Sequence, residues 1–155
     1  MTETPSLILD GFLPYRLSVL SNAISRKIAD IYEREFGLSI WQWRIIAVLG
    51  EQEGLTSTEV AQRTFMDKPT VSRAAASLIE RGILERDIDR DDRRRAPMRL
   101  SSEGQAIYAA VIPLALECEQ DFLNALSPEE AATLHALLSR LATAVSPDRP
   151  LWSDE

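Results

Sequence analysis

Residues 56–101 read TSTEVAQRTFMDKPTVSRAAASLIERGILERDIDRDDRRRAPMRLS, and four sections obeying different rules lie within them. Thr56 and Glu59 have capping-box spacing, a hydroxyl for an amide of the first turn and a carboxylate reaching back. They open a short helix over 58–64 whose apolar contacts are Val60, Ala61 and Phe65. A break at Met66 and Asp67 precedes a second helix, from about Lys68 to Arg81. Its apolar residues Val71, Ala74, Ala75, Leu78 and Ile79 recur at the spacing of one helical stripe. Gly82 supplies the left-handed stop. Two short helices joined by a tight turn have the form of a helix-turn-helix. Residues 83–86 and 96–100 are strand-like and flank an almost wholly charged tip, 87–95, so a hairpin wing follows. The pattern predicts a winged helix that meets DNA.

Outward from that stretch, the chain is mainly helical. Leu13, Leu17, Leu20, Ile24, Ile28 and Ile31 step by fours and threes along a predicted helix over 13–36, which Gly37 ends. So narrow a seam suits helix-helix pairing. Ser39 and Gln42 offer a second capping box, opening a helix through Trp43, Ile46 and Leu49 to about Gly50. After the wing, Ser101 or Ser102 caps a helix over about 103–126 that Pro113 should kink. Ser127-Pro128-Glu129-Glu130 then marks the sharpest boundary, with an N-cap, proline at the first helical position and glutamate at the third. That last helix carries Leu134, Leu137, Leu138 and Leu141 on one stripe and runs to about Val145. Residues 1–10 are expected as a frayed arm. Pro147 and Pro150 are expected to release a polar tail.

Composition is that of one globular domain. The 155 residues are 45% apolar and 26% charged, enough for a single core. The N-terminus lacks the basic head and apolar run of a signal peptide, and no stretch approaches the ~20 apolar residues of a membrane span. A lone cysteine, Cys118, excludes an intrachain disulfide framework and fits a reducing cytoplasm. Net charge is −7, yet residues 63–99 hold ten Arg or Lys against seven Asp or Glu, a local +3 that leaves −10 for the rest. A basic face on an acidic body favours contact through that face.

The order of these elements, with several local patterns, resembles the multiple-antibiotic-resistance regulator (MarR) family over roughly residues 11–145. The residues that carry it are Leu38-Ser39-Ile40-Trp41-Gln42-Trp43-Arg44, Pro69-Thr70-Val71-Ser72-Arg73 and Leu78-Ile79-Glu80-Arg81-Gly82-Ile83-Leu84. Asp92-Arg93-Arg94, six residues before Leu100-Ser101, matches that family's wing pattern. The resemblance implies a cytoplasmic, homodimeric repressor or activator and often a small aromatic or phenolic ligand that loosens DNA binding. On that reading 1–155 is one domain, with dimerisation helices over 1–36 and 102–146 around a winged helix-turn-helix over 38–101. The family's redox-sensing branch carries a reactive cysteine near its first helix, where this chain has none.

The candidate DNA contacts are Lys68, Thr70, Ser72 and Arg73 at the start of the second helix, where base edges and phosphates are met. Arg73 is the candidate for a bidentate pair with guanine. Arg93, Arg94 and Arg95 at the wing tip are candidates for a phosphate or minor groove. The partner expected is double-stranded DNA with a pseudo-palindromic operator. Tyr15, Trp41 and Trp43, with Arg16 or Arg44 to hold a carboxylate, are candidates for the wall of an aromatic-ligand pocket, although Trp43 has the spacing of a core residue. His135, the only histidine, lies far from any cluster of metal spacing, and Cys118 is flanked by glutamates that disfavour a thiolate. No cofactor, metal or catalytic constellation is expected, so an enzyme is disfavoured. The rival is a winged helix whose basic patch meets an acidic protein partner.

Overall fold

The structure is a computed structural model that describes residues 6–87 and 96–152. The wing-tip candidates Arg93, Arg94 and Arg95 lie outside those residues. A single 3-10 turn, Leu9–Gly11, stands where the sequence suggests a frayed arm, with Leu7, Ile8 and Leu9 still exposed. Helix α1 spans Leu13–Phe36 and ends at Gly37, whose φ of 59° is the left-handed conformation glycine adopts without a Cβ penalty. Helices α2 (Ile40–Glu51) and α3 (Ser57–Thr64) both start on complete capping boxes, Ser39 with Gln42 and Thr56 with Glu59. Helix α4 spans Lys68–Glu80, and Gly82 follows at φ 72°.

Strands β1 (Leu84–Arg86) and β2 (Met98–Leu100) pair antiparallel with Leu84 opposite Leu100 and Arg86 opposite Met98. The wing is therefore a hairpin, as expected. Its second strand is not an edge at Met98, because Leu55 bridges it from the other side: Met98 N donates to the Leu55 carbonyl and Gly54 N to that of Met98. Pro97, which has no N–H, contributes only its carbonyl, accepting from Asp87 N at 2.9 Å.

Helix α5 (Ser102–Leu123) runs on past Pro113 and stops a turn short of the expected Leu126. Helix α6 (Pro128–Val145) starts on the predicted Ser127 and Glu130 capping box.

The core gathers where α2, α3, α4, the sheet and the base of α5 meet. Ile45, Ile46 and Leu49 of α2 are fully buried with Val60, Val71, Ala75, Leu78, Met98 and Val111. Each large side chain sealed there contributes roughly 1.5–3 kcal/mol. The terminal helices are different. Helix α1 buries only Ala29 and Tyr32, and leaves Leu13, Leu17 and Leu20 in water. Helix α6 buries no residue at all, with Leu134, Leu137 and Leu141 exposed. Of the seams read from the sequence, Ile24, Ile28, Ile31 and Leu138 are half-buried and the other positions are exposed.

The tail departs from expectation. It folds back on the head, placing the Arg149 guanidinium 4.6 Å from the centre of the Phe65 ring and donating to the Gln62 carbonyl.

Candidate nucleic-acid interface

Local chemistry positions the start of α4. Asp67 caps the helix, Oδ1 accepting from Thr70 N at 2.8 Å and Oδ2 from Thr70 Oγ1 at 2.7 Å. Those two bonds hold the Asp67 carboxyl below the usual carboxylate range, with a smaller push from the Arg73 charge. Arg73 in turn donates to Thr70 Oγ1 at 3.3 Å, giving an exposed Asp67–Thr70–Arg73 chain. The sequence shows a break at Asp67; it does not show that Asp67 already occupies an amide that a phosphate would otherwise take.

Below that chain, Val71, Ala75 and Leu78 anchor the inner face of α4, while Lys68, Pro69, Ser72 and Arg73 stand exposed and Thr70 is half-buried. The outer face of the first turn is thus free, and its inner face is fixed. Two long-range contacts fix it further. Gln42, buried on α2, donates from Nε2 to Ser77 Oγ at 3.1 Å. Arg81 reaches across to the end of α1 and donates to the carbonyls of Phe36 and Gly37.

Not every cation of the 63–99 window faces outward for DNA. Arg81 is engaged as just described, and Arg99 grips Glu85 at 2.8 Å and Asp87 at 2.8 Å across the wing. Those acids hold the Arg99 guanidinium above its already high range. Arg86 lies along Met98 and Ser57. Arg63 lies 3.9 Å from Glu51, and among the described residues of the window Lys68 and Arg73 supply the exposed positive charge at the start of α4.

The five candidate ligand residues do not converge within one chain. Trp43 is packed between rings, 5.6 Å from Tyr32 and 6.5 Å from Tyr108, joining α1, α2 and α5. Burial pushes the Tyr32 hydroxyl up, and neighbouring Glu33 adds to it. Trp41, two residues away and so on another side of the helix, is exposed with Arg44 5.5 Å over its ring. Trp41 instead shares a groove of about 500 Å³ with Ser39, Thr70, Arg73 and Ser77. Tyr15 and Arg16 lie 16 or more residues before Tyr32 on α1, roughly 24 Å along the axis. Among the described residues no three His, Cys, Asp or Glu side chains gather as metal ligands, and no helix is long and apolar enough to cross a membrane.

This arrangement of helices and wing has counterparts. The family profile described as "MarR family" matches residues 36–95, from the end of α1 through the wing. A probable transcriptional regulator from Pseudomonas aeruginosa is 30% identical, superimposes with a TM-score of 0.71, and the match covers 86% of this chain and 99% of that one. The chain belongs to the MarR family.

A MarR/EmrR family regulator from Acinetobacter sp. ADP1 agrees, with a TM-score of 0.81 at 26% identity over 91% of this chain and 99% of that chain. The transcriptional regulator HosA of Escherichia coli O111:H- is 27% identical over 66% of this chain and 76% of its own length. Like other MarR-family members, this protein is a DNA-binding transcriptional regulator and not an enzyme.

Proposed function

We propose that two copies of the chain form an operator-binding homodimer in the cytoplasm, with each α4 entering a major groove. The observation that carries this is the start of α4, its first two turns exposed at Lys68, Ser72 and Arg73 while Val71, Ala75 and Leu78 fix the helix from within. Lys68 is assigned to a phosphate, Thr70 and Ser72 to bases or phosphates, and Arg73 to a guanine edge. Arg93, Arg94 and Arg95 are assigned to the minor groove or backbone beside it. The second copy is argued from α6, which buries none of its residues, and from the uncovered leucines of α1. Residues 1–36 and 102–146 supply that interface, around the 38–101 head. A two-fold pair of heads spaced on the order of 34 Å calls for a pseudo-palindromic site.

The regulator is proposed to act as a repressor relieved by a small aromatic or phenolic ligand. The Tyr32–Trp43–Tyr108 stack supports this, since it sits where α1, α2 and α5 meet and so between dimer helices and head. Of the five candidates, Trp43 lies in that stack and the Arg44 charge acts on Tyr32 within it. Trp41 stands apart in the groove with Thr70 and Arg73, and Tyr15 and Arg16 are proposed to join the stack from a partner copy. A ligand there shifts the separation of the two heads, to which a two-fold operator is sensitive.

The test is binding to the DNA upstream of the protein's own coding sequence, titrated against salt. A steep salt slope with one dimer per inverted repeat is the expected result. Affinity no better than for random DNA, there and across genomic fragments, would overturn direct reading in favour of a protein-interaction role.

A further inference from the structure

We propose that residues 146–152 are a strap that clamps the turn of the helix-turn-helix and ties the end of α6 to the reading head. The strap leaves α6 at Ser146, whose hydroxyl donates to the Arg149 carbonyl and folds the segment into a tight turn. That turn delivers the Arg149 guanidinium to two targets at once. One is the Gln62 carbonyl, among the last four of α3, which have no partner inside their helix. A cation there also meets the negative end of the helix dipole. The other is the ring of Phe65, under the same guanidinium at 4.6 Å.

Phe65 is the vulnerable point of the head. It holds φ 54°, the only left-handed non-glycine among the described residues, and its side chain is 54% exposed. Such a conformation persists where the surroundings enforce it. Two residues later Asp67 caps α4, so the backbone at Phe65 sets the direction of the reading helix. Leu151 and Trp152 continue over the head but leave a cavity of about 690 Å³ against Val48 and Leu55. The apolar end of the strap is loosely seated, and the grip comes from Arg149. Because α6 buries nothing of its own, a displacement of α6 reaches the α3–α4 turn through this contact.

The readout is hydrogen exchange on the full-length protein without DNA, together with operator affinity. The clamp itself is tested by exchange, so its failure is separate from failure of the DNA-binding reading on which its regulatory meaning rests. Arg149→Ala should raise exchange of the amides of 65–71 by about tenfold while leaving α2 and α5 unchanged. Phe65→Leu should do the same, and the double variant should add little, because both remove one contact. Operator affinity should fall several-fold with an unaltered salt slope, which a lost phosphate contact would reduce. If Arg149→Ala does not fold, Arg149→Met, which keeps the length of the side chain without its charge or its donors, carries the same test. Unchanged exchange at 65–71, or an increase spread evenly over the whole head, would overturn the proposal.

Discussion

Arg81, the residue that ends the reading helix, also closes the first helix of the chain, donating to Phe36 O at 2.6 Å while its other nitrogen reaches Gly37 O at 3.1 Å. The carbonyls at a helix end lack partners within the helix, and a cation there complements the dipole. One side chain thus couples the C-terminus of α1 to the C-terminus of α4. Arg81→Ala should lower stability by about 1 kcal/mol. Urea unfolding measures it, and Arg81→Lys should recover only part, since lysine lacks the fork that spans two carbonyls. Full recovery by lysine would show that charge alone suffices.

Gly104, in the first turn of α5, lies against the backbone after α4. A Cβ built there comes within 2.3 Å of the Ile83 carbonyl oxygen, which is main chain and cannot swing aside. The same spot is tied by Ser101 Oγ, donating to the Gly82 and Ile83 carbonyls and accepting from Gly104 N. Gly104→Ala is therefore expected to destabilise by about 1–3 kcal/mol, read as a drop in thermal midpoint. An unchanged midpoint would mean that α5 shifts freely against the wing.

The cap on the reading helix gives a pH dependence. Asp67 is held below its ordinary range by Thr70, so the folded state binds its proton less readily than the unfolded chain. The stabilisation is therefore present above the unfolded value, near pH 4, and disappears as pH falls through the lower folded value. The stability difference between wild type and Asp67→Ala, followed by denaturant titration, should shrink toward zero below about pH 4. A difference constant from neutral pH to well below 4 would assign the effect of the substitution to something other than the carboxylate.

On DNA, Arg73→Ala and Arg94→Ala should fail differently. The first should cost roughly 1–3 kcal/mol on the operator and relax preference at one position of each half-site. The second should weaken binding to every sequence alike and make the salt dependence shallower by about one ion. Equal losses on operator and random DNA for Arg73→Ala would remove its base-reading role.

Helix α6 gives the last test. Leu137 and Leu141 are 47% and 42% exposed in the single chain. Glutamate at both should halve the mass seen in sedimentation equilibrium and leave the head folded by circular dichroism. An unchanged mass would locate the contact between copies elsewhere.

Legibility in the sequence followed the range of the interaction. The caps at Ser39, Thr56 and Ser127 and the stops at Gly37 and Gly82 depend on residues three or four apart, so their chemistry shows in the order of letters. The hairpin pairs residues 12 to 16 apart, and it was readable because two strand-like runs flank one charged tip at 87–95. The bridge from Leu55 to Met98, the reach of Arg81 to Phe36 over 45 residues and that of Arg149 to Gln62 over 87 have no periodicity to betray them. Pro147 and Pro150 suggest a released tail, and nothing nearby announces that Arg149 finds a ring at Phe65. At the reading helix, residue types show which side chains face outward. They do not show that Asp67 and Arg73 already share Thr70.

The bare leucines of α6 bear on gene dosage. When folding of the terminal helices and pairing of two chains are one event, their stability rises with the amount of protein present. A cell holding few copies would then contain unpaired heads that engage half an operator weakly. As copies accumulate, paired heads should appear with the square of chain number, so occupancy of the operator would respond to synthesis more steeply than in proportion. Such a regulator would sense its own abundance before it sensed anything else.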